Sequence, residues 1–385
     1  MRAEAYFRNF LKVLEAYPAD RPLAKFLPEY FRQHKEMGSG DRRMASRLLY
    51  SYFRLGKACS ALPVEERLFL AEFLCSTSEN LFLTNFKPEL AEKISMPLGE
   101  KIALLEKEYT FALSDVFPYG MHLSEGIDTE AFLQSFFIQP NLFIRIHPGK
   151  EAALKAKLEV AGVVFEEITE QTLAMPNGTK LDQHLDATWY EVQDYSSQQT
   201  ANYFKPKQWE YWWDACAASG GKSILLHQLE PSIKLLVSDV RESVLTNLED
   251  RFAANQIRNY QKKVLDLTQN PDPILHHYEF DGIILDAPCT GSGTWGRTPE
   301  MISQFSEGRI AGFQQLQQNI ARNVVRYLKP AKPLIYITCS VFKEENEEMV
   351  QFLQNELKLE LEQLEVLKGY TRKADSMFIA RLIKK

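Results

Sequence analysis

Two of the chain's five cysteines stand apart by the company they keep. Cys289 closes the run Asp286-Ala287-Pro288-Cys289, and Cys339 lies between Thr338 and Ser340. Each follows an apolar stretch of strand length, Gly282–Leu285 in the first case and Pro333–Thr338 in the second. The ordinary fate of a cysteine is to serve as a small buried hydrophobe, and that is the reading for Cys59 and Cys75. A thiol at a strand end beside a carboxylate has another use, because its thiolate is a nucleophile that divides one difficult step into easier ones. Cys289, Cys339 and Asp286 are therefore candidates for a covalent centre. An odd number of cysteines without a CxxC pair argues against a disulfide framework or a zinc site, and the histidines add no ligand spacing, so no metal is expected.

A second set of residues suits a nucleoside. The stretch Asp214-Ala215-Cys216-Ala217-Ala218-Ser219-Gly220-Gly221-Lys222 joins a strand to a helix. Its small side chains let backbone approach a ligand, and the helix start directs free N–H groups into the site. It is neither GxGxxG nor a phosphate-binding GxxxxGK[ST] loop, since Cys216 stands where the latter needs its first glycine. Asp239 ends the next strand, where a carboxylate can accept both ribose hydroxyls. Asp266 ends the third, where it can accept from an adenine amino group. Singly, each reads as a helix cap or a solvated loop; three at successive strand ends point to a nucleoside cofactor. Cys216 is expected to pack rather than react.

The elements that must carry these residues follow from periodicity. Residues to about 125 read as helices: Ser39 is expected to cap one carrying Met44, Leu48, Tyr52 and Leu55, and Pro63 suits the first turn of another through Leu68, Leu70 and Phe73. A small α+β module over 126–200 is expected from strands at Leu142–Ile146, Val163–Ile168 and Thr172–Met175 and a helix at Glu151–Val160. Beyond Trp209, strands at Tyr211–Ala215, Lys234–Ser238, Lys263–Leu267, Gly282–Leu285, Pro333–Thr338, Leu359–Leu367 and Met377–Leu382 predict an open, mostly parallel, doubly wound sheet. Ligands of such sheets bind at the carboxyl ends of the strands.

At 385 residues, two or three domains are expected. No apolar run approaches the roughly 18 residues of a membrane span, and the start of the chain, with Glu4, lacks a signal-peptide core, so a cytoplasmic location is expected. The net charge is −6, yet residues 1–60 carry 12 Lys and Arg against 6 Asp and Glu. Arg42, Arg43, Arg47 and Arg54 fall on one side of a helix, which either touches phosphate or is a solvated face.

From about residue 190 onward the chain resembles the Sun/Fmu (RsmB-like, Nop/Sun) family of S-adenosylmethionine-dependent RNA cytosine-5 methyltransferases. Asp214 through Lys222 is similar to the family's cofactor loop, Asp286-Ala287-Pro288-Cys289 to its fourth motif, and Thr338-Cys339-Ser340 with Glu344-Glu345-Asn346 to its sixth. Gln193-Asp194 with Ser196-Ser197-Gln198 resembles the opening motif, and Phe378 to Leu382 the closing strand. The resemblance implies an α/β chain with a Rossmann-like class I methyltransferase domain at 201–385, an RRM-like lead-in at 126–200 and an N-terminal helical domain at 1–125. The short match Gly40-Asp41-Arg42-Arg43 with Leu48-Leu49-Tyr50 and Arg54 resembles the NusB-like RNA-binding domain. Two departures are visible: Ser219 stands where the family usually has proline, and Thr290 where it commonly has serine.

The resemblance also implies roles. Cys339 attacks carbon 6 of cytosine and makes carbon 5 enamine-like, Asp286 binds the ring at N3 and the exocyclic amine, and Cys289 assists release. S-adenosyl-L-methionine is the implied cofactor, with Asp214, Cys216, Ala217, Ala218, Ser219, Gly220, Gly221, Lys222, Asp239, Asp266 and Asp286 as implied contacts. Lys222 either holds Asp286, contacts the substrate or is a surface lysine at a helix start; Arg297 either contacts phosphate or is solvated. The expected partner is RNA, foremost 16S rRNA, at an unstacked cytosine, and a monomer is expected. Transfer RNA as substrate, and a catalytically weak RNA-binding ribosome-assembly protein, are the alternatives. The second predicts a broken nucleophile or Asp286 motif, and both motifs are intact. A DNA cytosine methyltransferase is disfavoured, because that class keeps its nucleophile after a Pro-Cys on the fourth strand, and a nicotinamide enzyme lacks its fingerprint here.

Overall fold

The computed structural model describes residues 2–385, which divide into two units. One comprises the chain up to Met121 with Asp128–Gln139 and Thr294–Glu307; the other comprises His122–Ile127, Pro140–Gly293 and Gly308–Lys385.

The first unit is helical. Its main helices, Arg2–Ala16, Leu23–Gln33, Ser39–Arg54, Val64–Cys75 and Leu98–Glu108, bury apolar faces that include Phe10, Leu48, Leu68, Phe73 and Leu105. Ser39 opens its helix instead of capping it. Extended Gly38 is the cap, and its N–H donates to Asp41 Oδ2 at 3.3 Å. The arginine face is largely spent on protein groups. Arg42 Nε donates to Met37 O (2.8 Å), Arg47 pairs with buried Glu72, and Arg54, 3% exposed, donates to Phe136 O (2.5 Å) and Gln139 Oε1 (3.0 Å). Arg43 is exposed, as is Arg47 beside its buried partner. Segment 294–307 completes this core: Trp295 packs on Phe117 and Phe305, and buried Glu300 accepts from Leu23 N at 3.0 Å.

The second unit holds two sheets. The smaller has strands β1 (Leu142–Ile146), β2 (Glu166–Thr169), β3 (Thr172–Met175) and β4 (Tyr190–Val192) in the antiparallel order β2-β3-β1-β4. Leu154 and Leu158 of the Glu151–Val160 helix pack on Ile144, Ile146, Leu173 and Met175. β2 starts later than its apolar residues suggested, because Gly162 in the left-handed region turns the chain and Val163 N still bonds Leu158 O at the helix end.

The larger sheet has β5 (Tyr211–Asp214), β6 (Lys234–Asp239), β7 (Tyr260–Val264), β8 (Gly282–Asp286), β9 (Pro333–Thr338), β10 (Leu359–Leu367) and β11 (Met377–Lys384), in the order β10-β11-β9-β8-β5-β6-β7. The five strands from β9 to β7 are parallel, and β11 runs antiparallel between β9 and β10. Strand order reverses between β5 and β8, the place where such sheets open a crevice. β7 is the correction: it lies three residues earlier than the Lys263–Leu267 expected from apolar alternation. Leu265 and Leu267 are buried, but after the strand, in a loop that turns at Asp266. Among the described residues, no helix is long and apolar enough to cross a membrane, and no cluster of metal-ligating side chains forms.

Candidate active site

β5 delivers Asp214 to the crevice, and the chain then turns into the Gly221–Leu229 helix. The turn needs two left-handed residues, Ala218 (φ 46°) and Gly220 (φ 81°). A side chain at Gly220 would bring Cβ to 2.8 Å from Phe252 and 2.9 Å from Leu248, so glycine is required by conformation and by space. Asp214 is 1% exposed; Ser223 Oγ donates to its Oδ2 at 2.7 Å, while Oδ1 is buried without a partner. Burial pushes its carboxyl up to about 7, with Ser223 working against the shift and nearby Asp286 adding to it. Asp239, at the end of β6, accepts from Ala218 N (3.1 Å) and from Arg241 N (2.9 Å) and Nε (3.1 Å), so it both holds the turn and carries a surface arginine. Burial, then the Asp214 and Asp239 carboxylates, drive the Cys216 thiol far above its usual range, which suits packing. Asp266 lies two residues beyond β7, exposed, with its carboxylate engaged by Thr268 N (3.0 Å) and Oγ1 (2.6 Å).

The thiols come from the neighbouring strands. β8 ends in Asp286, whose Oδ2 receives Lys222 Nζ at 2.9 Å. Burial alone would lower the Lys222 ammonium, but the Asp286 charge and hydrogen bond outweigh it and hold the lysine above its ordinary value. Beyond Asp286 the loop lies against the end of β9, with Ala287 N donating to Ile337 O (2.8 Å), and Cys289 Sγ comes to 3.3 Å from Cys339 Sγ. That contact, then burial, raise the Cys289 thiol well above its usual range. Asp214, Lys222, Asp286, Cys289 and Cys339 thus meet at the ends of β5, β8 and β9. Arg297 lies in segment 294–307, which belongs to the helical unit.

A buried polar network behind the thiols was not apparent from spacing. Glu345, part of the Glu344-Glu345-Asn346 stretch that resembles the family's sixth motif, is fully buried. Its carboxylate accepts from Thr290 N (2.9 Å), Thr290 Oγ1 (2.5 Å), Gln317 Nε2 (3.1 Å) and Ser340 Oγ. Asn346 beside it receives Thr338 Oγ1 (2.6 Å) and donates to Ser340 O (3.0 Å) and Ser124 Oγ (2.8 Å). Gly293 N donates to Cys339 O at 2.9 Å, and Ser376 N to Gly293 O at 2.9 Å. The two cysteine loops are therefore joined through the Glu345 carboxylate and Gly293, while Asn346 ties the Cys339 loop to Ser124. The signal for this was the position of Glu345, six residues past Cys339, together with the hydroxyls at Thr290 and Ser340.

A family profile described as "16S rRNA methyltransferase RsmB/F" matches residues 201–383. Proteins named "Ribosomal RNA small subunit methyltransferase B" match over part of their length. The one from Sodalis glossinidius is 31% identical over 205 residues, covering 52% of this chain and 47% of its own; that from Proteus mirabilis is 28% identical over 228 residues, covering 57% and 53%. The chain spans about half the length of these curated relatives. Among solved structures, PH0851 superposes with a TM-score of 0.68 at 21% identity, covering 94% of this chain and 95% of its own. NSun6 from Pyrococcus horikoshii superposes with a TM-score of 0.60 at 17% identity, covering 69% and 97%. At these identities the structures speak to fold alone.

Proposed function

The chain belongs, through residues 201–383, to the RsmB/F family of methyltransferases, and from that premise we propose that it methylates carbon 5 of a cytosine in RNA, with 16S rRNA as substrate and Cys339 as nucleophile. The observation that carries the reading is the thiol pair, Cys289 Sγ to Cys339 Sγ at 3.3 Å, beside the Lys222–Asp286 ion pair.

The pocket fits S-adenosyl-L-methionine on its own evidence. Asp214 Oδ1 is a buried acceptor with nothing to accept, Asp239 lies one strand over, and the turn between them is kept free of side-chain bulk. The cofactor supplies an electrophilic methyl group on sulfonium; the protein must make a nucleophile of carbon 5. Cys339 Sγ adds to carbon 6 as its proton is relayed to N3, toward which the ring electrons move and where Asp286 hydrogen-bonds the pyrimidine edge. Lys222, anchored to Asp286 Oδ2, keeps that carboxylate aimed until the base arrives. After methyl transfer, loss of the carbon-5 proton reforms the double bond as the Sγ–carbon bond breaks. The carbon-5 proton passes by way of a base to solvent, and Cys289, 3.3 Å from Cys339, assists the release. The base must leave its stack to reach this centre.

Radiolabelled methyl transfer to bulk RNA tests the reading. Cys339→Ser is expected to lose both methylation and any covalent protein–RNA species, and Cys289→Ala to accumulate a covalent adduct stable to denaturing gel. Bisulfite sequencing of ribosomal and transfer RNA, with and without the protein, names the substrate. A Cys339→Ser chain that methylates at wild-type rate would overturn the assignment.

A further inference from the structure

The cofactor turn has a support that lies outside the turn itself. Ser219 sits between the two left-handed residues, where the resemblance leads one to expect proline. Arg251, in the last turn of the Glu242–Ala254 helix, donates from Nη1 to Ser219 O at 2.7 Å and to Ser219 Oγ at 2.9 Å. Its other nitrogen, Nη2, donates at 2.5 Å to Glu191 Oε2. Glu191 belongs to β4 of the small sheet, is 8% exposed, and also accepts from Asn255 Nδ2 at 2.6 Å, one turn along from Arg251. Leu248 and Phe252 of the same helix are the side chains against which Gly220 closes. One guanidinium therefore spans the small sheet and the cofactor turn.

We propose that Arg251 is a positioning residue for cofactor binding, holding the Ala218–Gly220 turn in its ligand-ready shape, and that Glu191 conveys the placement of the small sheet into that turn. A proline restricts a turn by its own ring; a serine leaves the same turn mobile unless something outside fixes it. Here the fixing group is a charge-assisted fork whose other arm is anchored on a different sheet. Cofactor affinity in this chain is consequently tied to the small sheet, and a displacement of β4 is felt at the turn. The inference rests on the S-adenosylmethionine reading given above.

The experiment uses the full chain. Calorimetric titration with S-adenosyl-L-methionine is expected to show Arg251→Met binding roughly tenfold more weakly than wild type, with kcat at saturating cofactor unchanged within about twofold. Glu191→Gln moves the same way by a smaller factor. The decisive variant is Arg251→Met with Ser219→Pro, in which the ring replaces the lost fork and affinity returns toward wild type. Hydrogen exchange of the 214–222 peptide without ligand gives a second readout, faster in Arg251→Met and slowed again by Ser219→Pro. Equal affinity and equal exchange in wild type and Arg251→Met would overturn the proposal, as would a folded double variant with no recovery in either. A wild-type chain that binds no S-adenosyl-L-methionine overturns the cofactor reading instead, and the exchange data still decide whether the fork holds the turn.

Discussion

Asp214→Asn removes a charge that the unliganded fold holds at a cost. In the folded chain its carboxyl titrates near 7, against an ordinary value of 3.8, because the group is buried and only Ser223 donates to it. A raised acid stabilises the fold fully below its unfolded value, and that contribution is lost as pH rises through the folded one. The gap of about three pH units is worth roughly 4 kcal/mol at about 1.4 kcal/mol per unit, as an upper bound. Asparagine keeps an acceptor for Ser223 Oγ and never ionises. The variant should therefore exceed wild type in stability by an amount that grows by roughly 2–3 kcal/mol between pH 5 and pH 7 and then levels off. Matched urea titrations of the unliganded chains at several pH values measure this directly. A stability difference that stays flat from pH 5 to pH 8, or that shrinks with rising pH, would refute the argument. The same variant should lose S-adenosyl-L-methionine affinity, since it replaces an unpaired acceptor by an amide.

Glu345→Ala is expected to lower stability by roughly 2–4 kcal/mol, because it strands Thr290 N and leaves a cavity, whereas Gln317 retains Pro288 O and the Thr290 and Ser340 hydroxyls can turn to each other. Glu345→Gln should cost less, and its deficit should narrow as pH rises, since burial raises the glutamate and its ionisation then works against the fold; denaturant titrations at two pH values check both. Gly293→Ala would set Cβ at 2.0 Å from Ser376 O and 3.0 Å from Cys339 O, both backbone atoms, so the cysteine loops must part. It should cost about 2–3 kcal/mol and slow single-turnover methyl transfer while leaving cofactor affinity unchanged, as read by melting, rapid quench and calorimetry.

Much of the large sheet is legible in the sequence, because a strand buried on both faces writes a continuous apolar run. Pro333–Thr338 appears with the bounds such a run suggests, and the edge strand Leu359–Leu367 is legible instead from its alternation of leucine with glutamate. β7 misleads for a physical reason. At the sheet edge its own residues are polar and half-exposed, while Leu265 and Leu267 just past it supply buried apolar alternation in a loop. Burial of charge is the other blind spot. Arg54 looks like part of a phosphate-binding face, yet its partners are main-chain and amide oxygens 82 to 85 residues away, and the motif that contains Glu345 does not reveal the Thr290 loop that its carboxylate binds. The residues of the proposed centre are visible as strand-end motifs, but the 3.3 Å meeting of the thiols and the reach of Arg251 to β4 exist only in three dimensions.

The passage of segment 294–307 into the helical unit bears on how such a chain can be rearranged. A domain joined by one linker can be lost, gained or swapped by a single genetic crossover. Here the helical unit takes in a piece encoded between Gly293 and Gly308, well inside the catalytic half. Deleting the first 121 residues would leave Trp295, Ile302 and Phe305 without the helices that bury them, forfeiting roughly 5–9 kcal/mol of apolar burial. Fission of the gene needs two coordinated events, so the helical unit and the cysteine-bearing half are inherited together.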